Sequence, residues 1–232
     1  MLISVLIPVY NEDKTILNIL KLVNNQKNKI NIEIIVCNDG SSDNTDKILR
    51  ENSHLYQRYL CSRFNSGKGN AIKKLIKIAR GDIILIQDAD LEYDPRDYSS
   101  LIKPIVSKKT NVVYGSRVLA KKNRYIGSNF TSLFRIFGNH FLTIVSNIIN
   151  SQNLTDAHTC YKVFKKNIFD KISLEHDDFS ICPEITTKIS KLKEKIIEVP
   201  ISYKGRSFDE GKKIRLKDFF IAIFTLVKFR FK

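Results

Sequence analysis

Two carboxylates one residue apart, in the triplet Asp88-Ala89-Asp90, close the apolar run Ile83-Ile84-Leu85-Ile86-Gln87. A run of that length and β-branched content predicts a buried strand of a parallel sheet. At the carboxyl end of such a strand, alternation aims both carboxylates to one side, around an oxygen-lined site. Like charges that close repel unless a cation lies between them. Hard dications such as Mg²⁺ and Mn²⁺ bind through one or two carboxylates plus phosphate oxygens, so the chemistry this points to is a metal-chelated diphosphate. A pair of solvated loop acids ahead of Pro95 is the plainer alternative.

Strand-like and helix-like runs alternate around this pair. Ile3 to Val9 is apolar; Asp13 to Gln26 then spaces Ile16, Leu17, Leu20 and Val23 as a helix does. Ile32 to Cys37 reads as the next strand, and Asp43 to Glu51 as a helix capped by Ser41 or Ser42. Leu55 to Cys61 is a third strand. Gly69 to Ala79 is a helix with Ile72, Leu75, Ile76 and Ala79 on one face. After the Ile83 strand, Pro95 to Val106 is expected to be helical around Pro104, and Val112 to Gly115 to be a strand. The series predicts an α/β fold, a mainly parallel sheet covered by helices on both faces, with ligands beyond the carboxyl ends of the strands. The segments 8–12, 38–43, 65–69, 88–94 and 115–117 all fall at those ends.

Composition narrows the partners. The 232 residues carry 39 basic and 24 acidic side chains, a net charge of +15, which favours anionic partners such as nucleic acid, nucleotide phosphates or an acidic membrane surface. No zinc-finger, helix-turn-helix or RNA-recognition signature is present, and there is no tryptophan, so a basic nucleic-acid-binding protein is the weaker reading. The four cysteines have no metal-ligand spacing and fit a reduced, cytoplasmic chain. The first residues run straight into a strand, unlike a signal peptide. Lys68 lies between Gly67 and Gly69 without the spacing or the Ser/Thr of a P-loop.

The segments SVLIPVYNE (4–12), VCNDGSSDNT (36–45), the Asn65-Ser66-Gly67-Lys68-Gly69 turn and QDADLEYDP (87–95) together resemble family 2 glycosyltransferases of the GT-A fold. YGSR (114–117), residues 156–164, CPEITTKI (182–189) and EVPISYKGR (198–206) are similar to the dolichyl- or polyprenyl-phosphate mannose synthase branch. The resemblance implies one GT-A domain over 1–232, with a nucleotide-sugar half (1–118) and an acceptor half (119–232). It implies inverting transfer of a sugar, mannose or glucose first, from a GDP- or UDP-sugar to a lipid acceptor. Pro8, Tyr10, Glu12 and Asp39 would shape the base and ribose pocket, with Lys68, Asp88 and Ala89 completing the donor-binding set. Asp90 would hold Mg²⁺ or Mn²⁺ with Asp88 and Glu92 beside it, and Arg206 would approach the diphosphate.

For the acceptor, Arg117 and Arg135 match the phosphate-contacting arginines of that branch, and Asn139 lies one turn beyond Arg135. A polyprenyl phosphate is already anionic and needs no strong base. A lipid alcohol such as diacylglycerol would need one, for which Glu184 is the first candidate and Asp156 the second.

Two apolar segments complete the reading. Phe130, Leu133, Phe134, Phe137, Phe141, Ile144, Val145 and Ile148 form one helical stripe interrupted by Arg135, Asn139, His140 and Asn147. Residues 216–232 hold Phe219 to Val227, flanked by Lys212, Lys213, Arg215, Lys217, Lys228, Arg230 and Lys232. Neither suits a span of ~30 Å of hydrocarbon. Both suit amphipathic helices lying on the cytoplasmic face of an anionic membrane, or else core or dimer-interface helices, which leaves room for a homo-oligomer.

Overall fold

Seven strands form a single sheet, ordered β3-β2-β1-β4-β6-β5-β7. In chain order they are β1 (Ile3–Val9), β2 (Ile32–Asn38), β3 (Arg58–Cys61), β4 (Ile83–Ile86), β5 (Val112–Ser116), β6 (Lys162–Lys165) and β7 (Ile196–Pro200). The computed structural model describes residues 1–119, 130–206 and 216–232, and side chains outside 120–136 and 207–218. The helices are α1 (Ile16–Asn24), α2 (Thr45–Glu51), α3 (Lys68–Ile78), α4 (Tyr98–Val106), α5 (Phe130–Asn150), α6 (Ile181–Lys191) and α7 (Leu216–Phe231).

The strands β1, β2 and β4 are buried along their whole length. That is what an uninterrupted Ile/Val/Leu run dictates when helices cover both faces. β1, β2, β3 and β4 pair in parallel, and β5 pairs in parallel with β7. β6 alone runs antiparallel, between β4 and β5. Its amino end therefore lies at the edge where the other six strands have their carboxyl ends. Residues 156–161 arrive at the same edge as the turns after β1, β2, β4, β5 and β7, and that edge is the site.

Through β5 the sequence reading places the elements within a few residues, whereas β6, α6 and β7 were not among its elements. Three details also differ within the part it covered. The Ile83 strand ends at Ile86, so the aspartate pair sits in a turn and not on the strand. Asn44 occupies the N-cap of α2, and its capping function passes to Asp43, whose carboxylate accepts from Thr45 N at 3.0 Å. Pro104 stays inside α4, and the segment before it, Pro95–Asp97, is a separate 3₁₀ turn capped by Asp94.

The side of α5 that enters the core is not the aromatic one. Its buried side carries Leu142, Thr143, Ser146 and Asn150, while Phe137, Phe141, Ile144 and Ile148 point outward. The buried polar groups have work there: Thr143 Oγ1 accepts from Ala157 N at 3.3 Å, and Asn147 exchanges two hydrogen bonds with the Leu154 backbone at 2.8 and 2.9 Å. The core thus takes the side of α5 that can satisfy the 154–157 loop, leaving Phe137, Phe141, Ile144 and Ile148 unburied. α7 packs beside it, with the Phe141 and Phe219 rings stacked at 5.8 Å. No described helix is long and apolar enough to cross a membrane.

Candidate active site

The turns after β1 and β2 are stitched together. Asn11 N donates to Ser41 Oγ at 2.9 Å, and Glu12 N to Thr45 Oγ1 at 2.9 Å. Asn11 takes φ +50°, a left-handed turn that asparagine tolerates, and Gly40 takes +71° where a Cβ would strike the Phe64 backbone. Between these turns lies Asp39, buried. Its Oδ2 accepts from Ser66 N (3.0 Å) and Gly67 N (2.7 Å), whereas Oδ1 is buried with no hydrogen bond among the described residues. A buried acceptor without a donor is costly, so this oxygen is disposed toward an incoming N–H. Pro8 is buried in β1 and Tyr10 is half-buried just past its end.

The turn after β4 presents the aspartates. Gln87 is anchored beneath them, its Oε1 accepting from the Tyr98 and Tyr161 hydroxyls, each at 2.7 Å. Ala89 is buried, and Leu91 takes φ +60°, a backbone state that costs a branched side chain on the order of 1–3 kcal/mol. Strain of that kind persists where the surrounding contacts enforce it, here around the pair itself. Asp88 Oδ1 accepts from Lys68 Nζ at 2.5 Å; burial opposes the ammonium, but the Asp88 carboxylate outweighs it and holds the lysine charged. Asp90 Oδ2 accepts from Arg206 at 3.0 Å, and the same guanidinium forks to Glu12 at 3.0 and 3.1 Å. Residues 194 positions apart therefore close one ring of charge.

Burial, with the charges of Asp88 and Glu92, pushes the Asp90 carboxyl up to about 7 despite Arg206. Two carboxylates in one turn, one of them crowded upward, supply oxygen donors of the kind a hard dication takes at Asp90 and Asp88. Glu92 does not belong to that set. Its Oε1 accepts from Arg206 N at 2.7 Å and its Oε2 from the Tyr203 hydroxyl at 3.1 Å, while its backbone oxygen takes Lys204 N. Glu92 straps the 203–206 segment over the turn, with both carboxylate oxygens accepting from it. Among the described residues no three His, Cys, Asp or Glu side chains converge as a ready-made metal cage.

The acceptor candidates part company. Arg117 and Asp156 form a buried two-point pair at 2.6 and 2.7 Å, and Arg117 lies 5.1 Å from the Tyr203 ring centroid. Burial raises the Asp156 carboxyl, yet the Arg117 guanidinium prevails and holds it below the ordinary range. A carboxylate so stabilised is a poor proton acceptor. Glu184 does not join the site: it is fully buried at the start of α6, accepting from Glu175 N (2.7 Å), His176 N (2.9 Å) and Lys188 Nζ (2.6 Å). With its oxygens committed and no exposed surface, it cannot reach an acceptor, which corrects its expectation as a base. Asn139 is exposed on α5, and no hydrogen bond among the described residues brings it to Arg117. Arg135, like Lys212, Lys213, Arg215 and Lys217, lies outside the described side chains.

Three participants escaped the sequence reading. Glu198, on β7, accepts from Thr155 N and Asp156 N and so sets the loop that carries Asp156. Tyr203 bridges Glu92 and Arg117, and Tyr93 accepts from Cys160 N at 3.1 Å. Glu198 had two signals, a glutamate inside an otherwise apolar strand and its place at the head of EVPISYKGR; the tyrosines gave none beyond membership of the quoted segments.

The sequence profile of Glycosyl transferase family 2 matches residues 4–173. The chain belongs to glycosyl transferase family 2. A UDP-N-acetylglucosamine–dolichyl-phosphate N-acetylglucosaminyltransferase of Methanococcus voltae is 30% identical over 220 residues, covering 86% of this chain and 84% of that protein. A dolichyl-phosphate beta-glucosyltransferase of Trichomonas vaginalis is 29% identical, covering 97% and 72%. Among solved structures, glucosyl-3-phosphoglycerate synthase from Mycobacterium tuberculosis, in complex with Mn²⁺, UDP and phosphoglyceric acid, superimposes with a TM-score of 0.74 at 17% identity, over 98% of this chain and 78% of that one. The family 2 fold, GT-A with its mainly parallel sheet, is the architecture described above.

Proposed function

We propose that this glycosyltransferase moves a sugar from a nucleotide diphosphate donor to a polyprenyl phosphate, with 1–118 handling mainly the donor and 119–232 the acceptor. The observation that carries the acceptor is the state of the two base candidates. Glu184 is sealed in the fold and Asp156 is held low by Arg117. An alcohol such as diacylglycerol needs its proton taken during attack; a phosphate brings its own negative oxygen. The names of the related enzymes, both acting on dolichyl phosphate, support the same choice. They carry different sugars, so the kinship speaks to the lipid phosphate more than to the hexose.

For the donor, Asp39 favours uracil over guanine. Guanine offers two adjacent N–H donors, matched by a carboxylate with both oxygens available, whereas uracil offers one. Asp39 Oδ2 is spent on Ser66 and Gly67, leaving Oδ1 for a single N–H. Asp90, with Asp88, would hold Mg²⁺ or Mn²⁺, which supplies charge neutralisation to the departing diphosphate. Arg206 brings a fixed guanidinium to the same leaving group, positioned by Glu12 and by the Glu92 strap. Arg117, desolvated and oriented by Asp156, is the cation aimed at the acceptor phosphate.

The outward apolar faces of α5 and α7 fit the surface of an anionic bilayer, on which a polyprenyl phosphate must be met. Phe137, Ile148, Phe220 and Phe224 are 72, 74, 64 and 67% exposed, and Lys228, Arg230 and Lys232 border them. We place the enzyme peripherally on the cytoplasmic face.

The test is transfer from radiolabelled UDP- and GDP-sugars, with Mn²⁺, to polyprenyl phosphate or diacylglycerol. Product on polyprenyl phosphate from a UDP-sugar is expected, and Asp90→Ala should abolish it together with the Mn²⁺-dependent thermal shift. Product on diacylglycerol alone would overturn the acceptor assignment.

A further inference from the structure

The turn that opens α3 serves the donor site twice, through Ser66 N and Gly67 N on Asp39 and through Lys68 Nζ on Asp88. What holds that turn comes from more than a hundred residues further on. Asn70 N donates to Asp177 O at 2.9 Å, Asn70 Nδ2 to Asp177 Oδ1 at 3.0 Å, and Lys73 pairs with Asp177 at 2.8 Å. The approach is backbone on backbone. A Cβ on Gly69 would stand 2.5 Å from the His176 carbonyl oxygen, and one on Gly67 would collide with Asp177 O. The 175–177 backbone is held in turn from behind, by the two Glu184 oxygens on Glu175 N and His176 N. Lys188 Nζ, also on Glu184, neutralises a carboxylate that has no access to water.

We propose that Glu184 is a positioning residue for the donor, acting through the 175–177 backbone on the Lys68 turn and so on Asp39 and Asp88. The inference rests on the glycosyl-transfer reading above and deepens it. Glu184 touches neither substrate nor reacting atoms; its effect is on where the nucleotide's two carboxylate contacts stand. Displacing the segment moves the Gly67 amide and the Lys68 ammonium together, because both belong to one turn.

Two lesions on opposite sides of the contact test this. Glu184→Gln keeps side-chain shape but sets an NH₂ against a backbone N–H. Gly69→Ala loads the same contact from α3. In titration of UDP with Mn²⁺ and in steady-state kinetics, each is expected to raise the UDP Kd and the donor KM about tenfold. Saturated kcat should stay within about threefold, with its pH profile unmoved. The double variant should be little worse than either single one, since both break one linkage. A large fall in kcat at unchanged donor KM, or a pH profile that loses its acidic limb in E184Q, would make Glu184 the base and overturn the inference. So would melting temperatures that fall while Kd and KM stay put. If E184Q fails to fold, G69A with the same readouts decides. Wild-type protein that binds no nucleotide would bring down the transfer reading itself; wild-type binding with both variants unmoved brings down only the role of Glu184.

Discussion

Asp156 and Arg117 form a buried ion pair whose contribution to stability can be read against pH. The carboxylate is buried, forks onto the guanidinium, and is held below the ordinary range. Because its folded pKa is depressed, the pair contributes in full above the unfolded value of about 3.9, and the contribution is lost as pH falls through the lower folded value. Asp156→Asn leaves the buried guanidinium beside a neutral amide where it had a carboxylate, and should cost about 3–5 kcal/mol at pH 7. The gap from wild type in chemical denaturation should narrow below about pH 4. An equal gap at pH 3 and pH 7 would remove the ion pair as its cause. At this scale the sequence carried residue types well: Asp88, Asp90, Glu12, Asp39, Lys68 and Arg206 do converge on one strand-end surface. It could not carry occupancy. Whether a carboxylate is offered to a ligand or spent on backbone N–H groups depends on turns whose dihedrals no spacing encodes, which is why Glu92 and Glu184 looked available and are not.

At the scale of elements, parallel strands were legible because an unbroken apolar run can only be buried on both faces. β6, with lysines at both ends of Lys162-Val163-Phe164-Lys165, offered no such run and was missed. Yet its antiparallel insertion delivers residues 156–161 to the site. Lys162 shows why the pattern misled: its ammonium is buried on the carbonyl oxygens of Ala157 and Thr159 and beneath the Tyr114 ring, which burial alone would forbid. The stripe on α5 was legible as a stripe, but periodicity does not say which side faces the core. The orientation makes a contrast on α7 measurable. Phe224 is exposed and Leu226 fully buried. Phe224→Ser should change unfolding free energy within about 0.5 kcal/mol, as surface changes do. Leu226→Ala should cost about 2–5 kcal/mol, as buried leucines do. If Phe224→Ser cost as much, the face would be covered by another part of the molecule or by a second copy.

For the whole molecule, charge and apolar surface act together. The chain carries +15, and α5 and α7 present aromatic side chains with lysines and an arginine at the α7 end. A basic group close to an anionic leaflet contributes about 1 kcal/mol, an attraction that fades over a screening length near 10 Å at 0.1 M salt. Inserted aromatic rings contribute through buried area, which salt does not weaken. Two terms of different salt dependence predict a two-part response in vesicle sedimentation. At low salt the protein should pellet with vesicles containing an anionic lipid and much less with neutral ones. Raising salt to 0.5 M should weaken but not abolish this. Paired replacement of Phe220 and Phe224 by aspartate should leave folding intact, since both side chains already face water, and should remove the salt-resistant part. Wild-type protein that stays in the supernatant at low salt would take the bilayer out of the account. Binding that vanishes in salt, with or without the two phenylalanines, would reduce it to charge alone and return the exposed rings to a contact between protein copies.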